Sequence, residues 1–124
     1  GLKSGAVATS ISHDSHNIIV VGTNSKDMAA AANYIVEHHG GIVVVENGEV
    51  KAAVVLEIAG IMSDRPLTAV NTELEAAKDA AFKLGVSRGI DPFMTLSFAS
   101  LPVIPALRLT TKGVFNVNTL EFVE

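Results

Sequence analysis

The stretch Gly41-Ile42-Val43-Val44-Val45-Glu46-Asn47-Gly48-Glu49-Val50-Lys51-Ala52-Ala53-Val54-Val55-Leu56-Glu57-Ile58 reads as two strands folded about a tight turn. β-Branched residues fill Gly41 to Glu46, and Asn47-Gly48 tolerates the positive φ angles that a two-residue hairpin turn demands. Glu49 to Ile58 is then the returning, antiparallel strand.

Upstream of this hairpin, Met28, Ala31, Ala32, Ile35 and Val36 recur at helical spacing between Ser25, a candidate N-cap, and the stop at Gly40-Gly41. Before the helix, Asn17 to Gly22 is a continuous apolar run and predicts a fully buried strand, while Ser4 to Ser12 alternates small and β-branched residues. The polar segment Ser12-His13-Asp14-Ser15-His16-Asn17 joins these two strands.

Downstream, a turn-like segment from Ala59 to Pro66 leads into Leu67, Val70, Leu74, Ala77, Ala81 and Leu84, one face of a second helix that ends near Gly85. The last third is apolar with period-two hydroxyls from Asp91 to Phe98, has prolines at 102 and 105, and carries two short strands about Lys112-Gly113. The expected fold is α+β: one mixed, largely antiparallel sheet of about five to seven strands with two helices packed on it.

The 124 residues predict a single domain spanning 1 to 124. No apolar run approaches the roughly 20 residues of a membrane span. The first residues lack a secretory apolar region, and the chain has no cysteine, so a soluble, cytoplasmic protein without thiolate metal sites is expected. A net charge of -4 without charge blocks argues against a nucleic-acid surface.

Two imidazoles, a carboxylate, two hydroxyls and an amide crowd into Ser12 to Asn17. His13, Asp14 and His16 are donors that zinc, manganese or iron accept, provided the chain turns at Asp14-Ser15. Alternatively, Asp14 and Asn17 bond nearby backbone amides while the imidazoles satisfy carbonyls at the strand entry, or the loop presents donors and acceptors to a ligand or a neighbouring domain. His38 and His39 suit a helix C-terminus. Ser63 and Asp64 suit helix capping before Pro66. Phe93, Met94, Phe98, Leu101, Pro102, Val103 and Ile104 form a proline-stiffened apolar stretch, either core or interface. Phosphate-binding glycine loops and a serine-nucleophile elbow are absent from the sequence.

Four segments, Ser12 to Gly22, Gly40 to Val45, Ile58 to Asp64 and Asp91 to Phe98, together with the ending from Leu107 through Gly113 to Val123, resemble the C-terminal domain of bacterial and archaeal adenine deaminase. The resemblance covers nearly the whole chain. It implies an amidohydrolase-superfamily parent that hydrolyses adenine to hypoxanthine and ammonia with a metal-bound hydroxide, a step of purine salvage. It places the binuclear manganese, iron or zinc centre in a (β/α)₈ barrel of roughly 250 residues, which this chain has neither the length nor the His-x-His pair to form.

On that resemblance the chain is the domain that follows the barrel and is inactive alone. Gly1 to Ser4, just ahead of a strand, would then mark a domain boundary. His13, Asp14, His16, Asn17, Ser63, Asp64 and Asp91 are the candidates for residues facing the active site. The expected partners are a barrel domain of the same or a neighbouring subunit, free adenine in the parent, and further copies in a homo-oligomer; neither nucleic acid nor membrane is expected. Two competing readings are a non-catalytic oligomerisation module and a free-standing metal-dependent hydrolase built on His13, Asp14 and His16.

Overall fold

The computed structural model describes residues 1–13 and 16–123. The hairpin forms as its turn chemistry requires. Asn47 and Gly48 take φ of 54° and 76°, and β3 (Gly41–Glu46) pairs antiparallel with β4 (Glu49–Val55), the register shifting between Val44 and Val45. β1 (Ala6–Thr9) lies on the other side of β3, and β2 (Ile19–Gly22) pairs with β1, so the order is β2-β1-β3-β4 with every pairing antiparallel.

Successive residues of a strand face opposite ways, and both faces of this sheet are covered. Ala6, Ala8, Val43 and Val45 meet Ala31 and Ile35 of α1 (Ser25–Glu37) on one face. On the other face Val7, Ile42, Val44 and Val54 meet Ala77 and Ala81 of α2 (Leu67–Lys83) and Phe93 of α3 (Pro92–Ser97). Val43, Val44 and Val45 are all fully buried because β3 is central and each of its faces has a helix. The remaining strands, β5 (Leu107–Thr110), β6 (Gly113–Asn116) and β7 (Glu121–Phe122), form a separate three-stranded antiparallel ribbon.

The α+β class is therefore as read, and several details differ. The described residues form two purely antiparallel sheets rather than one mixed sheet, and a third, short helix. The apolar run at β2 does not mark a buried strand: β2 lies at the sheet edge, and Ile18 and Val21 are exposed. Asn24, not Ser25, caps α1, its side chain accepting from the Asp27 N–H at 2.8 Å. Leu67 opens the α2 stripe in sequence but is exposed, and the buried part of that face begins further along, at Ala77. The segment from Asp91 is a helix because Asp91 caps it and Pro92 occupies its first turn, where a missing N–H costs nothing. No helix of the described residues is long and apolar enough to cross a membrane.

Candidate functional site

The hexapeptide lies between β1 and β2 in the chain, and its described residues lean two ways. Buried Ser12 places its Oγ 2.7 Å from that of Ser100. The His13 N–H donates to the Ser97 carbonyl at 2.7 Å, and its ring stacks on Phe98 with centroids 5.2 Å apart. This half is fastened to α3 and the segment that follows it. The His16 N–H turns back to the Ser12 carbonyl at 3.0 Å, and His16 adopts φ of 53°. It borders a hollow of about 270 Å³ together with His39, Gly40, Ala59 and Gly60.

Ser10 builds the floor of that hollow. Its buried hydroxyl lies between the Gly60 carbonyl, to which it donates, and the Gly41 N–H, from which it accepts at 2.8 Å. One serine thus joins the end of β1, the start of β3 and the turn after β4. The turn itself has Ala59 and Gly60 at φ of 56° and 73°, closed by an Ile58–Met62 bridge. Gly40 has to be glycine: a Cβ there would lie 2.4 Å from the Gly60 Cα. His39, at φ of 61°, ends the turn after α1 and so brings the second imidazole to the hollow. His38 has a structural role instead, its Nδ1 2.8 Å from the Tyr34 carbonyl and its ring stacked on Tyr34.

Of the active-site candidates that the sequence suggests, His16 is the described residue that lines the hollow. Asn17 lines a neighbouring cleft beside β2. Ser63 does not cap α2: its Oγ accepts from the N–H and the Nε–H of Arg65 at 3.1 and 3.2 Å, and Arg65 pairs with Glu73. Asp64 is exposed in that turn. Asp91 is committed elsewhere, capping α3 through the Phe93 and Met94 amides and pairing with Lys78 at 3.2 Å. Burial pushes its carboxyl up, yet the Met94 N–H and Lys78 outweigh it and hold the group below its ordinary range. Asp14 lies outside the described residues.

Among the described residues no three His, Asp or Glu side chains come together as metal ligands. They do not supply the donor set of a binuclear centre, and no metal step is assigned to this chain. Of the apolar stretch, Phe93 and Leu101 are buried within the domain, Phe98 is half-buried against His13, Ile104 is half-buried, and Met94, Pro102 and Val103 are exposed. Ser10 lies outside every segment that carries the resemblance, Gly60 lies within one of them without a role assigned to it, and His39 reads only as a helix end. The one local signal is the run of small residues at 40–41 and 59–60, which marks close backbone approach.

The family model for the adenine deaminase C-terminal domain matches residues 1–121. The chain belongs to this family. Curated relatives named adenine deaminase include those of Bacillus subtilis, 49% identical over 99% of the chain, and Nitratidesulfovibrio vulgaris, 50% identical over 98%. The archaeal protein of Methanosphaera stadtmanae is 46% identical over the full chain. The chain spans about a fifth of their length: 21% of the first two and 22% of the third.

Proposed function

We propose that this chain serves as the C-terminal domain of an adenine deaminase, whose whole polypeptide hydrolyses adenine with water to hypoxanthine and ammonia. The observation that carries the role of the domain is the hollow at one end of its sheet. There His16, from the hexapeptide, and His39, from the end of α1, share walls with Ser10 and Gly60. Exposed Ile18 and Val36 lie at the same hollow.

Imidazoles at neutral pH offer either a donor or an acceptor, and an apolar rim excludes water from whatever docks against it. This end of the domain faces the catalytic barrel, of the same or a neighbouring subunit, and closes the adenine site. The metal chemistry belongs to the barrel. Met94, Pro102 and Val103 remain the outer part of a subunit-facing surface in a cytoplasmic homo-oligomer.

Ammonia release from adenine tests the reading. The 124-residue chain alone is expected to release none, and the full-length protein to turn over. In the full-length protein, His16→Ala with His39→Ala should lower kcat/KM by about tenfold or more, the loss of a hydrogen bond to a reacting or positioned group, with an unchanged melting curve. Deamination by the short chain alone would overturn the domain assignment, and unaltered kinetics in the double variant would remove the hollow from the active site.

A further inference from the structure

Beside the hollow, the outer edges of two strands border one cleft. It measures about 320 Å³ and is lined by Asn17 to Val20 on one side and Leu109 to Thr111 on the other, with Ala99 and Ser100 between them. β2 ends the four-stranded sheet and β5 ends the ribbon, so each has one side without a strand neighbour among the described residues. Where the backbone groups of these edges point follows from the ladder phase.

The Thr23 N–H donates to the Gly5 carbonyl, and in an antiparallel pair the bonded positions alternate. Val21 and Ile19 therefore bond to Val7 and Thr9 of β1, and Val20 turns its N–H and C=O outward. On the ribbon the Val117 N–H donates to the Ala106 carbonyl, so Arg108 and Thr110 bond to β6 while Leu107 and Leu109 turn outward. The outward Leu109 N–H already donates to a passing backbone, the Ala99 carbonyl at 3.0 Å.

The ribbon also carries apolar side chains that the described chain leaves uncovered. Register puts Leu109, Val114 and Val123 on one face and Phe115 and Phe122 on the other. Leu109, Val123 and Phe122 are 58%, 51% and 48% exposed. A three-stranded sheet draws its stability from an apolar face packed on something else, and unpaired edges recruit strands.

We propose that the cleft between β2 and β5 accepts an extended segment of the remaining part of the parent polypeptide, paired through its backbone to the outer edge of β2. The inference rests on the reading of this chain as the C-terminal domain of a longer protein. The relatives supply the occupant: about four fifths of their length lies outside the matched region, the chain spanning 21% of the first. A tethered segment also has an effective concentration that a separate molecule lacks. The incoming strand would be β-branched or aromatic and free of proline at its bonded positions.

Amide hydrogen exchange on the full-length protein decides this, because the sheet contains its own reference. Val21 is bonded to β1 and Val20 is not, so after correction for intrinsic rates their protection reports the outer edge alone. Val20 is expected within about tenfold of Val21 at every protein concentration, whereas a bare edge would exchange about a hundredfold faster or more. The latter result overturns the proposal. Protection of Val20 that disappears on dilution to a monomer also overturns it, assigning the cleft to a second copy. The readout does not involve adenine: a protected Val20 in a protein that releases no ammonia would refute the deaminase reading and leave the strand slot standing.

Discussion

The four-stranded sheet and the C-terminal ribbon are both built from short antiparallel strands with many apolar residues, valine, alanine and isoleucine in the first and leucine, valine and phenylalanine in the second, yet they bury their residues very differently. All four residues of β1 are buried and five of the six in β3, because α1 covers one face and α2 with α3 the other. In β5, β6 and β7 no residue is fully buried. Apolar side chains are core in one place and half-buried or exposed in the other. Strand composition therefore shows where the chain is extended, while the supply of covering helices decides which strands hold the domain together. The ribbon has the composition of a core element and lacks a covering layer of its own among the described residues, as expected for a surface that meets another part of a larger protein.

The largest effect that would sharpen this contrast is expected at the Ser10–Gly40–Gly60 junction. Gly40→Ala would place a Cβ 2.4 Å from the Gly60 Cα and 2.7 Å from the Leu56 carbonyl, at a φ of 129° that side chains rarely adopt. Backbone atoms do not yield as a flexible side chain does, so a loss of about 4 kcal/mol or failure to fold is expected. Urea titration of the variant measures it. A loss under about 1 kcal/mol would show that this end of the sheet is as loosely held as the ribbon. Ser10→Ala should cost less, about 2 kcal/mol, since it leaves the buried Gly41 N–H without its acceptor. The m-value should stay unchanged, because the unfolded surface does not change.

A smaller effect ties the hairpin to α1. The Asp27 carboxylate accepts from Asn24 Nδ2 at 2.9 Å and from the Gly48 N–H of the β3–β4 turn at 2.8 Å. Asn24, then Gly48, hold it below its ordinary value of 3.8 against the opposing effect of burial. A depressed folded pKa contributes stability that is present above the unfolded value and is lost as pH falls through the folded one. Asp27→Asn should therefore be less stable than the parent at neutral pH, with the gap closing below about pH 4. Denaturation of both proteins across that range isolates Asp27 from Glu73 and Asp91, whose carboxyls are also held low by their partners. A gap independent of pH would mean that the charge on Asp27 does not brace the hairpin.

Sequence patterns identify most of the well-packed body, because its signals are local. Asn47-Gly48 defines a turn from two residues, and the helices announce themselves by spacing. The start of α3 is legible in the same way, as Asp91-Pro92 is a cap followed by a first-turn proline; the period-two hydroxyls of Thr95 and Ser97 imitate a strand and mask it. The site depends on contacts that no local pattern encodes. Ser10 reaches residues 31 and 50 positions away, and Ser12 meets Ser100 across 88. The hexapeptide stands out for its density of polar groups, but that His13 turns to Phe98 while His16 turns to the hollow shared with His39 is a product of the tertiary fold. Asp91 reads as a free acid only until the fold brings Lys78 to it.

The smallest effect tests the ribbon directly. Leu109→Ser removes an apolar side chain that is 58% exposed while leaving the backbone bond to Ala99, since the N–H is retained. In the 124-residue chain this should alter stability by no more than about 0.5 kcal/mol, as expected of a surface position away from caps and buried bonds. If the rest of the parent protein covers the ribbon, the same substitution in the full-length protein forfeits the burial of that side chain and should cost about 1–2 kcal/mol. The two measurements together separate composition from context. Equal small losses in both proteins would mean that the ribbon stays uncovered even in the parent. A large loss in the short chain would show that Leu109 belongs to the core of this domain, and the contrast between its two sheets would disappear.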